Sequence, residues 1–161
     1  MTHTTSFSAI ATPEDQAALR AAWMRVLSLA EPLALHHAFQ KLLPVPEYRV
    51  IRVPESGMAM VRARAGGTGE QFNLGEMTVT RCAVALDTNV MGVAYVQGRG
   101  SRHAEQAAVV DALLQLDDWH AQVRDEVITP LSRAHDQRVK EHAHVAAQTQ
   151  VEFFTMVRGE D

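Results

Sequence analysis

"EYRVIRVPESGMAMVRARAGGTGEQFNLGEMTVTRCAVAL", residues 47–86, carries a period of two along most of its length. Alternation of that kind belongs to strands, because successive side chains of a strand point to opposite faces. "EYRVIRV" predicts a strand that Pro54 stops, and "PESG" reads as a turn. "MAMVRARAG" then places Met58, Met60, Arg62 and Arg64 on one face, with Ala59, Val61, Ala63 and Ala65 on the other. After the glycine-rich run, "EMTVTRCAVAL" puts Thr78, Thr80, Cys82 and Val84 on one face and Met77, Val79, Arg81 and Ala83 on the other. "DTN" turns the chain and "VMGVAYVQG" returns it. The expectation is an antiparallel meander of four strands.

Outside this stretch the period is helical. In "TPEDQAALRAAWMRVLSLA", Thr12 suits the cap, Pro13 the first helical position and Asp15 the positive end. Leu19, Trp23, Leu27 and Ala30 recur at helical spacing. "EPLALHHAFQKLLP" repeats the signal between Pro32 and Pro44. Helices resume at Ser101, where Val109, Ala112, Leu113 and Leu116 form an apolar stripe. Asp117-Asp118 offers a break and a new cap, and Thr129-Pro130 offers another start. The stripe that follows (Leu131, His135, Arg138, His142, Ala146) is too polar for a monomer core and suits a solvated or partner-packed face. The terminal "VEFFTMVRGED" concentrates Phe153, Phe154, Met156 and Val157 in the last nine residues, as docked tails do. The fold class expected is α+β, a four-stranded antiparallel meander with N-terminal and C-terminal helices, one of them long and packed on a partner. Residues 1–11 are read as a flexible N-terminus and 12–161 as one domain.

The chain has 161 residues, 47% of them hydrophobic, with 15 basic against 19 acidic side chains and a formal net charge of -4. That is enough apolar surface for a core and argues against disorder. The negative balance argues against nucleic acid as a partner. Thirteen of the basic residues are arginine and two are lysine. Such a bias suits bidentate anion recognition or buried ion pairs, and equally a GC-rich genome. Cys82 stands alone, so neither an internal disulfide nor a cysteine-only metal site forms within one chain. The eight histidines show no HExxH-like spacing, and no metal is expected. No signal-peptide pattern and no membrane-length apolar run is present, which predicts a cytoplasmic protein without membrane attachment.

The glycine run "GGTG" invites a phosphate reading, but it has neither the lysine of a nucleotide P-loop nor the strand-to-helix setting of a dinucleotide motif. One reading is a hairpin loop whose glycines supply positive φ. The other is a backbone nest aimed at an anion, with Arg62 and Arg64 on the strand before it and Arg81 on the strand after. Gly66, Gly67, Thr68, Gly69, Asn73 and Glu76 complete that candidate anion or substrate site. In "GRGSRHAEQ", Arg99 and Arg102 flank a helix start, which also suits an anion. No catalytic residue is legible from the order of residues.

Read together, "RVPESGMAMVRARAGGTGEQFNLGEMTVTRCAVAL", "GVAYVQGRGSRHAEQAAVVDALLQ" and "FFTMVRGED" resemble the PhnG family, a subunit of the bacterial carbon–phosphorus lyase system. The resemblance covers nearly the whole chain after Ala11. It departs at Gly100, where the family pattern leads one to expect an acidic residue, as in "GRD". The resemblance implies a subunit that does not act alone. With PhnH, PhnI and PhnL it displaces adenine from ATP with an alkylphosphonate, giving α-D-ribose 1-alkylphosphonate 5-triphosphate. It implies MgATP as substrate of the complex and no cofactor on this chain. It also implies a homo-oligomeric place in a two-fold symmetric core with PhnH, PhnI and PhnJ. The alternative is a scaffold subunit that touches no substrate.

Overall fold

The computed structural model describes residues 12–148. The expectations for residues 1–11 and for the apolar tail from Val151 lie outside the described residues. The first helix, α1 (Pro13–Leu29), starts on a reciprocal cap. The Asp15 N–H donates to Thr12 Oγ1 at 3.2 Å, and the Thr12 N–H donates back to Asp15 Oδ2 at 3.0 Å. The Thr12 hydroxyl, which donates to Asp15 Oδ2 at 2.8 Å, and then the Thr12 N–H hold the Asp15 carboxyl below its ordinary range, and the cap satisfies donors a helix start leaves orphaned. In α2 (Pro32–Gln40) the Glu31 carboxylate accepts from the Ala34 N–H at 2.9 Å.

The sheet has three strands, not four: β1 (Tyr48–Arg64), β2 (Gln71–Leu86) and β3 (Met91–Gln97), antiparallel in the order β1-β2-β3. The two strands expected on either side of Pro54 are one. Pro54 is tolerated because β1 is an edge strand and because the ladder slips there. Arg52 pairs with Ala83 and Glu55 with Arg81, so β1 carries one residue more than β2 across that step. A bulge on an edge is where a residue without an N–H fits a strand.

Helix α3 (Ser101–Leu113) lies across the sheet and is the middle of the core. Its Ala104, Ala107, Ala108, Val109, Val110, Ala112 and Leu113 are buried, together with Cys82, Val84, Leu86, Ala94 and Val96 of the sheet. The small residues bring backbone close to backbone. A Cβ at Gly92 of β3 would fall 1.9 Å from the Ala108 carbonyl oxygen and 2.7 Å from the Ala112 nitrogen.

From Asp117 to Gln148 the chain is helical without a break: α4 (Asp117–Val123), a π-helical turn (Arg124–Ile128) and α5 (Thr129–Gln148). Pro130 therefore starts no new helix. It has no N–H to give, and the wide turn just before it, closed by the Thr129 N–H on the Arg124 carbonyl, absorbs the missing bond. Leu131 is buried, and the Arg138 guanidinium donates to the Leu29 carbonyl at 3.1 Å at the end of α1. Residues 139–148 beyond that point are all exposed.

Candidate functional site

β3 stops at Gln97, opposite Val79. From there β1 and β2 continue alone, from the pair Gly57–Val79 to the pair Arg64–Gln71. Eight residues at strand rise make an arm of roughly 25 Å. No residue from 57 to 77 is buried. Met58, Met60, Phe72 and Leu74 leave 46 to 63% of their surface exposed. Two strands without a covering layer are marginal in water, and apolar side chains held out this way, Met58 and Met60 on one face and Phe72 opposite Ala63 on the other, mark an interaction surface. The edge of β2 that β3 leaves open is a ready place for another strand.

The sequence-derived candidates fall on this arm but do not all converge. Met58, Met60, Arg62 and Arg64 share the face on which α3 packs further down, since Met58 pairs with Thr78 and Ser56 with the buried Thr80. Asn73 pairs with Arg62 and Glu76 with Met60, all four exposed. Arg64 closes the loop on itself: its Nη1 donates to the Gly69 carbonyl at 2.9 Å. Gly66 and Gly67 have φ of 58° and 80°, which is the positive-φ need that brings glycine to such a turn. Thr68 is exposed and the Gly69 N–H donates to the Ala65 carbonyl at 3.0 Å. Arg81 stands apart. It pairs with Glu55, seven residues of strand before Arg62 and on the opposite face, about 23 Å away at strand rise. There it donates to Glu55 Oε1 at 2.7 Å, and Arg52 reaches the same oxygen at 3.4 Å.

Two polar groups of the core escaped the sequence reading. Asp111 is fully buried on α3 and accepts four hydrogen bonds: from Arg20 Nε (3.2 Å) and Nη2 (2.7 Å), Trp23 Nε1 (2.8 Å) and the Val93 N–H (2.9 Å). It ties α1, α3 and β3 together. Its signal was a lone acid inside "AAVVDALL". His103 is also buried, with Nε2 2.8 Å from the Leu27 carbonyl, and burial pushes its pKa below the ordinary histidine value. Cys82 is buried too, its Sγ 3.4 Å from the Arg52 carbonyl, and burial raises its thiol pKa. Among the described residues no three His, Cys, Asp or Glu side chains converge as metal ligands, and no helix is long and apolar enough to cross a membrane.

The described residues form an α+β protein, a helix-backed antiparallel sheet with a long hairpin that no other described layer covers. The comparisons with known proteins then name the family. Residues 18–159 match the family model described as phosphonate metabolism protein PhnG, and the chain belongs to that family. It is similar to the α-D-ribose 1-methylphosphonate 5-triphosphate synthase subunit PhnG of Rhizobium meliloti (strain 1021), with 41% identity over 140 residues, covering 86% of this chain and 88% of the relative.

Proposed function

We propose that the chain is a docking subunit of a multi-subunit enzyme that makes α-D-ribose 1-alkylphosphonate 5-triphosphate and adenine from MgATP and an alkylphosphonate. It contributes surface to that assembly rather than reacting groups. The observation that carries this reading is the arm, which exposes Met58, Met60, Phe72 and Leu74 on two unsupported strands. The relative's name, that of a subunit of an α-D-ribose 1-methylphosphonate 5-triphosphate synthase, supports the product named in this reading. The partners proposed are homologues of PhnH, PhnI, PhnJ and PhnL in a two-fold symmetric cytoplasmic complex. The overhang of α5 adds a second exposed surface. It leaves the core past Leu29, at the end of α1 nearest the point where β3 gives way to the arm.

The test is co-expression with the partner homologues. Met60→Glu with Leu74→Glu places charge on the arm without touching the core. The double variant is expected to fold as the parent does and to lose co-purification. Full assembly would refute the arm as the docking element. A second reading keeps Arg62, with Asn73 and Glu76 beside it and the 66–69 loop beyond, in contact with the triphosphate. What favours it is that Arg62 makes no ion pair among the described residues. Arg62→Ala would then lower adenine release while the complex still forms.

A further inference from the structure

His103 is 4% exposed, and its two ring nitrogens differ in environment. Nε2 faces the Leu27 carbonyl at 2.8 Å. A carbonyl only accepts, so Nε2 carries the proton and the neutral ring presents a lone pair at Nδ1. That Nδ1 is buried and has no hydrogen-bond partner among the described residues. It lies on the side of Gly100, where an added Cβ would be 3.9 Å from Nδ1 and 3.1 Å from the His103 Cβ. Gly100 is the N-cap of α3, a helix of 13 residues, and supplies no capping side chain. The first helical bond runs from the Ala104 N–H to the Gly100 carbonyl at 2.9 Å. The N–H groups of Ser101, Arg102 and His103 are thus the orphan donors of a helix start. Arg99 and Arg102 flank them, both exposed. A buried acceptor without a donor therefore stands beside donors without an acceptor.

We infer that the start of α3 binds a singly protonated phosphorus oxyanion, a phosphate or phosphonate group. Its charged oxygens accept from the α3 N–H groups and from Arg99 and Arg102, and its P–OH donates to His103 Nδ1. The N-terminal N–H groups and the helix dipole favour an anion, and the arginines add charge-assisted bonds. The acceptor narrows the class. Sulfate and carboxylate are fully ionised near neutral pH and have no proton to give Nδ1, whereas phosphate and phosphonate monoanions do. Glu31, the acid that acts on His103, is already engaged with the Ala34 N–H and does not fill the gap.

The experiment uses the full chain alone, so its outcome is separate from that of the docking reading. Inorganic phosphate, methylphosphonate, ATP and sulfate are titrated at constant ionic strength, and the His103 ring nitrogens are followed by long-range proton–nitrogen NMR. Their signals are assigned against His103→Gln. Phosphate and methylphosphonate are expected to move Nδ1 saturably, and sulfate is not. The lower saturation point between ATP and methylphosphonate shows whether a nucleotide phosphate or a phosphonate is the better source of the group. Gly100→Asp supplies its own carboxylate cap and is expected to abolish the response. Arg102→Ala removes one exposed charged donor and should weaken binding about tenfold. No response to phosphate, an equal response to sulfate, or an unchanged response in Gly100→Asp would each overturn the site.

Discussion

Replacing Asp111 by alanine removes one acceptor group from four donors at once. The cost can be worked donor by donor. Arg20, whose side chain is 35% exposed, turns its guanidinium to water and loses little. The Trp23 Nε1–H and the Val93 N–H are only part-exposed and are left without an acceptor. Each unsatisfied donor costs about 1–3 kcal/mol, and the vacated volume adds about 1 kcal/mol. The expected loss is about 3–7 kcal/mol, a fifth or more of the roughly 5–15 kcal/mol that holds a domain together. Urea unfolding followed by tryptophan fluorescence measures it, since Trp23 and Trp119 both pack against the core. Arg20→Ala is the informative partner. It leaves the carboxylate buried with two donors, and the double variant should cost clearly less than the two singles added together. A loss below about 1 kcal/mol for Asp111→Ala, with an unchanged urea slope, would refute the hub as a holding element.

Gly92→Ala drives a methyl into backbone atoms of α3 that no rotamer can move, so a loss of about 3 kcal/mol or more is expected in the same urea assay. Cys82 should resist a thiol reagent in the native chain at pH 8 and react fully once urea unfolds it, because the thiol is buried and its ionisation suppressed. His103 is held below the 6.5 of an ordinary histidine. The unfolded chain therefore takes up a proton that the native chain refuses. Stability falls as pH drops below about 6.5 and stops falling on this account once pH passes the lowered native value. His103→Gln should remove that component, read as the difference between the two stability–pH curves.

Much of the frame was legible because it is local. Thr12, Pro13 and Asp15 announce the start of α1 by chemistry that needs no neighbour. Gly66 and Gly67 take the positive φ that their spacing implied. What failed was non-local. Pro54 reads as a strand end unless one knows that β1 is an edge and that the ladder slips there. Pro130 reads as a helix start unless one knows that a π turn can precede it. The grouping of Arg81 with Arg62 and Arg64 failed for the same reason. Where β2 begins and how its register slips between Val61 and Arg62 are set by pairing with β1, and a slip changes which face a side chain takes. Asp111 and His103 were invisible as a hub and a half-satisfied acceptor because their partners lie 18 to 91 residues away.

The arm poses a question of energetics that the rest of the fold makes sharper. β2 is one strand with two lives. Its C-terminal half, from Thr80 to Leu86, alternates into a core built by α3 and β3, and its N-terminal half has neither. Were the arm only a connection, a short turn near Gly57 and Val79 would join the strands and spare the ordering of about twenty residues. Its loop instead is tied by Arg64 to Gly69, and its sides keep methionine, phenylalanine and leucine rather than charge alone. Apolar groups there gain little from the described residues, no layer of which covers them. Their burial energy, about 25 cal/mol per Å², is available to a surface brought by another molecule. The stability of the arm and the affinity for that molecule are then one quantity seen from two sides. Hydrogen exchange along 57–64 and 71–79 should accordingly be fast in the isolated chain and slow by orders of magnitude in the assembly, while Val84 and Leu86 remain protected in both.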